Sequence, residues 1–365
     1  MKFNCNTQEF STAVATVVRF IERRANLPVL SSILVTADGG RVVLHATNLE
    51  CGVEISIPAK VNEKGTVAIP GSILAGFLSN ARGKTTSVTL VGEMCKLETE
   101  RSTASIKTIP HEDFPALPRV SATASFSIKS ADFVKLLRSV MYSTSTSTIK
   151  PELQSVLVYG EGGKIISAAT DSFRLAEKTI ALRSGGNVPQ LLIPSRNVAE
   201  LVRILEVVGG ETVLYYNENQ ISTQVGNVYY TSRIIDGAFP NYKQIIPKTF
   251  TTEAIVLRED VAQALKSLSI FSDKFSQVSL TFEPSKKSIL LSSRNPDVGE
   301  QTTTIQATIS GEMATMNFNS RYLSDSLQSI VGDSVRLQTN GPGKPLLVRD
   351  SSDESFLYLA MPMNR

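Results

Sequence analysis

The sequence predicts an α+β protein of three similar domains, each with two helices packed on β-sheets. Three landmarks recur in order along the 365 residues and carry that expectation. One is an amphipathic helix near the start of each third. Phe10, Val14, Val17, Val18 and Ile21 share a helical face, as do Phe133, Leu136, Leu137 and Val140, and then Val261, Leu265 and Leu268. The next is a strand that ends in a polar pair: Leu44 to Asn48, Ser167 to Asp171, Leu291 to Asn295. The last is a turn of apolar residue and proline at Phe114-Pro115, Phe239-Pro240 and Met361-Pro362.

A second amphipathic helix lies between the last two landmarks. Its apolar face is Ile73, Leu74, Phe77 and Leu78 in the first copy and Val198, Leu201, Val202 and Leu205 in the second. Leu323, Leu327 and Ile330 form it in the third. Thr47 and Thr170 are 123 residues apart, Pro115 and Pro240 are 125 apart, and Pro240 and Pro362 are 122 apart. Boundaries at 1–121, 122–249 and 250–365 follow, each an ordinary domain length. Runs such as Val53–Ile57 and Val228–Ile235 alternate or are rich in β-branched residues, as strands require. Glycine pairs at 39–40, 162–163 and 209–210 punctuate them.

Composition excludes several classes of protein. No run of apolar residues is long enough to span a bilayer, and the start lacks the apolar core of a signal peptide. Cys5, Cys51 and Cys95 are odd in number and widely spaced, so neither a disulfide framework nor a zinc site is expected, and a reducing cytoplasm fits best. The 37 basic and 34 acidic residues leave only a slight basic excess, less than affinity-driven nucleic-acid binding usually needs.

Catalytic chemistry is hard to assemble from these residues. His45 and His111 are the only histidines; one lies in a strand-like run and the other in a turn, and both read as satisfied or solvated rather than as ligands. Gly160 to Lys164 superficially resembles a phosphate loop, but its spacing is wrong and Ile165 stands where a hydroxyl is needed, so a hairpin turn is expected. The same reading applies to Asn340 to Lys344, a loop. No catalytic residue, metal or cofactor is expected.

With the repeats in place, the full chain resembles the bacterial DNA polymerase III beta subunit family, the sliding clamps. The resemblance rests on Met1-Lys2-Phe3, Leu27-Pro28-Val29-Leu30, Thr170-Asp171 with Arg174-Leu175, Asp236-Gly237 with Phe239-Pro240-Asn241-Tyr242, and Met361-Pro362-Met363. It implies the DNA clamp fold and a head-to-tail dimeric ring of six domains, with helices lining the hole around duplex DNA. Repeated units can close such a ring when their contacts repeat by rotation. Encirclement retains DNA topologically, so a nearly neutral chain is compatible with it, whereas many phosphate contacts would hinder sliding.

The family's partners are double-stranded DNA, the DNA polymerase III catalytic subunit, the clamp loader, and other polymerases and repair factors that dock through short linear motifs. Carried over by motif, the peptide pocket would comprise Leu153, Thr170, Arg174, Leu175, Pro240, Ile246, Pro345, Met361, Pro362 and Met363. Leu175 and Ile246 are equally readable as core residues, and the tail as a closing strand. Two departures stand out: Ser172-Phe173 replaces a frequent Gly-His, and Gln244 replaces a basic residue.

Arg24 occupies the family's DNA-contacting position, with Arg23 and Lys150 as neighbours. Lys135, Arg138, Arg196 and Arg203 lie on the lining helices, together with Arg19, Arg82, Lys266 and Arg321, and each reads equally well as a solvated face. Asp132, Glu259 and Asp260 sit in first turns, where the helix dipole favours acids and mid-helix bases are left to face DNA. Ile270 and Phe271, with Ile106 beside Lys107 on the first domain, are the expected ring contacts. The rival to this reading is a peptide-binding scaffold of the same repeat that never encircles DNA, which ring closure would distinguish.

Overall fold

A computed structural model describes residues 1–22, 27–120, 124–182 and 187–363. The described residues contain six α-helices: α1 (Thr7–Val17), α2 (Gly71–Asn80), α3 (Ser130–Met141), α4 (Ser195–Val208), α5 (Arg258–Leu268) and α6 (Ser320–Leu327). That is two per repeat, as the periodicity requires. The helical faces are buried where the pattern places them, at Phe10, Val14 and Val17, at Phe133, Leu136, Leu137 and Val140, and at Val261, Leu265 and Leu268.

Two details differ from the sequence reading. Helix α1 gives way to a 3-10 turn at Val18–Phe20, so Val18 is only half-buried, and Phe20 takes its place in the core. In α2 the core face is narrower than expected, because Ile73 is exposed while Leu74 and Leu78 are buried. Asn6 accepts the Glu9 amide at 3.1 Å to start α1, and Asn319 accepts those of Arg321 and Tyr322 to start α6. Such caps satisfy amides that have no partner within the helix.

The chain packs as two compact units, Met1–Ala131 with Ala199–Ile234, and Asp132–Val198 with Ile235–Arg365. Each holds one continuous antiparallel 12-stranded sheet. The middle repeat divides its strands between them. Its strand Val228–Arg233 pairs with Cys51–Glu63 of the first repeat, placing Thr231 opposite Gly52 and Tyr230 opposite Val53. Its strand Arg174–Ala181 pairs with Phe356–Ala360 of the third, placing Leu175 opposite Leu359. In the first unit α1 packs on α2 and on Cys51–Glu63; in the second α5 packs on α6 and on Gly299–Gly311.

The phosphate-loop lookalike is a two-residue hairpin turn. Glu161 pairs with Lys164, and Gly162 and Gly163 take φ of +59° and +74°, a conformation that favours glycine. Asn340 to Lys344 links the paired strands Ser334–Thr339 and Leu346–Asp350. No helix among the described residues is long and apolar enough to cross a membrane.

All three cysteines are free and buried, and burial pushes the Cys5 and Cys95 thiols up to about 12, so neither is a nucleophile at neutral pH. His45 is neither solvated nor fully satisfied. Its Nε2 is shut off from solvent without a hydrogen-bond partner, and its ring meets Phe114 edge-on at 4.9 Å. Burial holds it neutral, lowering its pKa to about 4 against a smaller opposing pull from Glu54.

The unfolded chain therefore takes up a proton at His45 as pH falls below the ordinary value near 6.5, while the folded chain resists until about 4. Stability contributed at neutral pH is lost across that window, by on the order of 2 kcal/mol between pH 7.5 and pH 5. In urea titrations of wild type and His45→Leu at both pH values, the wild type should show the larger drop. Equal drops would remove His45 as the cause.

Candidate functional site

The second unit carries the candidate groove, and a turn at the end of strand Lys164–Thr170 builds it. Thr170 Oγ1 donates to the Arg174 carbonyl at 2.6 Å and accepts the Ser172 amide at 3.1 Å. Asp171 Oδ1 accepts the amides of Phe173 at 2.9 Å and Arg174 at 3.0 Å. These bonds hold Ser172 at φ +78°, a left-handed conformation costing a residue with a side chain roughly 1–2 kcal/mol. That is the physical cost of a serine rather than a glycine at this position. The turn also lifts the Phe173 ring out of the protein, leaving it 62% exposed.

Arg174 leaves the turn and is locked in place. Its Nε meets Asp171 Oδ2 at 3.1 Å, Nη1 meets Asp325 Oδ2 at 2.5 Å, and Nη2 donates to the Tyr142 carbonyl at 2.6 Å. The guanidinium lies 4.3 Å from the centre of the Tyr322 ring. Three of its N–H donors are thus directed at protein acceptors and its face lies over a ring, which presents a charged residue in one geometry. Asp325, Tyr142 and Tyr322 had no signal in the sequence, because each is remote from Arg174 along the chain.

The C-terminal segment runs alongside. Met361 donates its amide to the Phe173 carbonyl at 2.9 Å, and Met363 donates to Asn317 at 2.8 Å. Strand pairing aligns Arg174 with Ala360 and Leu346 with Ala360, so Pro345 comes level with Met361. Leu175 is buried in a cluster with Leu157, Phe239, Tyr242 and Leu359, against which Ile246 packs. The Leu175 side chain is therefore part of the core. Pro240 is exposed and accepts the Tyr242 amide at 2.7 Å. Thr170 and Leu153 are buried, and the backbone of Leu153 is tied to Ser145 and Lys150. Met361 is 39% exposed, and Pro362 and Met363 are half-buried. An apolar cleft with a few fixed polar anchors is the ordinary form of a ligand site, and methionines let one surface accept several shapes.

Of the basic residues singled out, Lys135 and Arg138 lie on the exposed face of α3, and Arg196 and Arg203 are exposed on α4. Lys150 is exposed in the loop before Pro151. Arg23 and Arg24 lie outside the described residues. One expectation is corrected: an acid sits mid-helix among these bases. Glu200 meets Arg203 at 2.5 Å and Arg19 at 2.8 Å. Two guanidiniums share one carboxylate there, so part of their charge is already met.

Ile106 is also corrected. It is buried, so its side chain offers no surface; what its strand, Thr103–Lys107, presents is the end of the first sheet. Ile270 is 69% exposed and Phe271 is half-buried. Ala314–Asn319 ends the second sheet. Among the described residues no cluster of His, Cys, Asp or Glu is placed to hold a metal.

Residues 1–118, 127–241 and 243–364 match the family models for the N-terminal, central and C-terminal domains of the DNA polymerase III beta subunit. The chain belongs to the DNA polymerase III beta subunit family. A beta sliding clamp of Synechococcus elongatus is 28% identical, with 100% of this chain and 99% of that protein aligned. One from Caulobacter vibrioides is 27% identical over the whole of both chains. The DNA polymerase sliding clamp of Bacillus subtilis shares the fold at a TM-score of 0.95 and 23% identity, covering 100% of this chain and 99% of that one.

The turn can be tested from both sides. Asp171→Ala removes the acceptor of two amides and one side of the Arg174 clamp, and should cost about 2–4 kcal/mol in urea unfolding. Ser172→Gly relieves the left-handed strain at some cost in unfolded-chain entropy, and should stabilise by up to about 1 kcal/mol. Destabilisation by Ser172→Gly would mean that the turn is not strained.

Proposed function

We propose that the protein is a replication sliding clamp. It acts without catalysis of its own, closing a ring around duplex DNA and tethering DNA polymerases to it. The observation that carries this reading is the match of the three clamp domains along the chain, and the residues that strand pairing gathers around the Thr170–Leu175 turn and the C-terminal segment support a peptide site there. The groove takes short linear motifs from the DNA polymerase III catalytic subunit, the clamp loader and other polymerases and repair factors. Its lining is Arg174, Pro240, Ile246, Pro345 and Met361 to Met363, with Leu153, Thr170 and Leu175 buried beneath them.

The ring is a head-to-tail homodimer in the cytoplasm. Its joint pairs the free edge of Thr103–Lys107 in one subunit with a strand edge of the other, flanked by Ile270 and Phe271. An open edge is a ready template for such pairing, and the exposed Ile270 beside it adds an apolar contact. Lys135, Arg138, Lys150, Arg196 and Arg203 face the duplex. Their contacts are to phosphates, so binding is independent of sequence and weakens with salt.

Fluorescence polarisation with a labelled polymerase-derived clamp-binding peptide tests the groove. Saturable binding to the full chain should fall at least about tenfold when Met361 to Arg365 are removed, the scale of a lost anchor near 1.4 kcal/mol. Binding that survives the truncation would place the peptide elsewhere. For the ring, light scattering should give a dimer for the wild type and a monomer for Ile270→Asp, since a buried unpaired carboxylate at the joint costs several kcal/mol. A wild-type monomer that is not retained on circular duplex DNA would leave a peptide-binding scaffold.

A further inference from the structure

The turn that builds the groove is present twice, and its first copy is covered. Thr47 Oγ1 donates to the Cys51 carbonyl at 2.9 Å and accepts the Leu49 amide at 3.0 Å. Asn48 Oδ1 accepts the amides of Glu50 at 3.0 Å and Cys51 at 2.8 Å. Leu49 takes φ +72°, matching Ser172 at +78°. Arg233 donates its amide to the Glu50 carbonyl at 2.8 Å, as Met361 does to Phe173 at 2.9 Å. Bond for bond, Gly52 therefore stands where Leu175 stands, Glu50 where Phe173 stands, and Arg233 where Met361 stands.

The covering group is Leu117. A Cβ placed on Gly52 would lie 2.1 Å from Leu117 Cδ2, so the leucine occupies the space a side chain at this position would take. Around it the segment Phe114–Arg119 is fastened at several points. Phe114 packs on His45 and on the cluster of Val29, Leu30 and Ala68. The Pro118 carbonyl accepts the Tyr229 hydroxyl at 2.7 Å. Arg119 meets Glu54 at 2.6 Å and lies 4.0 Å over the centre of the Tyr229 ring.

We propose that Phe114–Arg119 is a cis-bound occupant of a second groove, a strap that closes the first-repeat counterpart of the C-terminal one. The closed groove has its own chemistry: a leucine seat over Gly52, then an arginine seat made by Glu54 and Tyr229. It is selective for a Leu-x-Arg segment, and its rim of Glu50 and Arg233 is charged where the other rim is apolar. A tethered segment competes at an effective concentration in the millimolar range. Free peptides of the same kind are thus excluded while the strap is seated, and each chain offers one open groove.

A fluorescein-labelled synthetic peptide covering residues 112–120, titrated against the full chain, tests this. Wild type should bind it weakly or not at all. The strap-weakened variant Leu117→Ala/Arg119→Ala should bind it at least about tenfold more tightly, because the cis competitor is disabled. Adding Gly52→Ala, which fills the leucine seat, should abolish that gain. Equal binding by wild type and the strap-weakened variant, or a gain that survives Gly52→Ala, overturns the proposal.

Gly52→Ala alone gives a measurement independent of peptide affinity. It should push the Leu117 side chain from its seat and loosen the strap there, raising amide exchange across residues 116–118 while strand residues 53–57 keep wild-type protection. An unchanged strap in that variant also overturns it. Neither readout depends on the C-terminal groove.

Discussion

Main-chain pairing across the repeat boundaries is the constraint on which the other features depend. Cys51–Glu63 pairs with Val228–Arg233, and Arg174–Ala181 with Phe356–Ala360. Each hydrogen bond adds only about 0.5–1.5 kcal/mol net, but a buried strand edge left unpaired loses the full desolvation of its amides and carbonyls. Register therefore joins the repeats, and side-chain contacts such as Arg174 with Asp325 and Arg19 with Glu200 add to it. That register brings the turn after Thr170 beside the C-terminal segment and the turn after Thr47 beside Arg233.

Once register has placed the two turns alike, side chains alone distinguish them. Around Ser172 the flanking residues are Phe173, Leu175 and Met361, with Arg174 immobilised by Asp171, Asp325 and the Tyr142 carbonyl. Around Leu49 they are Glu50, Gly52 and Arg233, and Leu117 fills the gap. One turn is flanked by apolar side chains and rigid at its charged anchor. The other is closed and rimmed with charge.

Electrostatics follows the same division between local placement and long-range consequence. The helices do present bases outward, since Lys135 and Arg138 fall opposite the buried face of α3. Glu200 nonetheless draws Arg19 and Arg203 to itself from positions 181 residues and three residues away. Exposed pairs of this kind contribute little to stability, roughly 0.2–1 kcal/mol. Their effect is on the field seen by a polyanion, which is reduced where they form.

Much was legible in the sequence, because it was written at short range or by repetition. Helical faces need a period near 3.6, strand-ending Thr-Asn and Thr-Asp pairs encode their turns within five residues, and threefold recurrence set the number of helices. Ser172-Phe173 was visible as a departure, although its left-handed φ and the exposure of Phe173 were not. What only the tertiary structure decided involves partners far apart in the chain. The burial of Ile106, the capture of Arg203 by Glu200, the Asp325 contact to Arg174 and the seating of Leu117 on Gly52 are all of this kind. A sequence specifies which groups each residue can bond, and the local spacing that forms its helices and turns. Which distant residue arrives within bonding distance is set by strand register and by the volume left to fill, and neither exists until the sheets have formed.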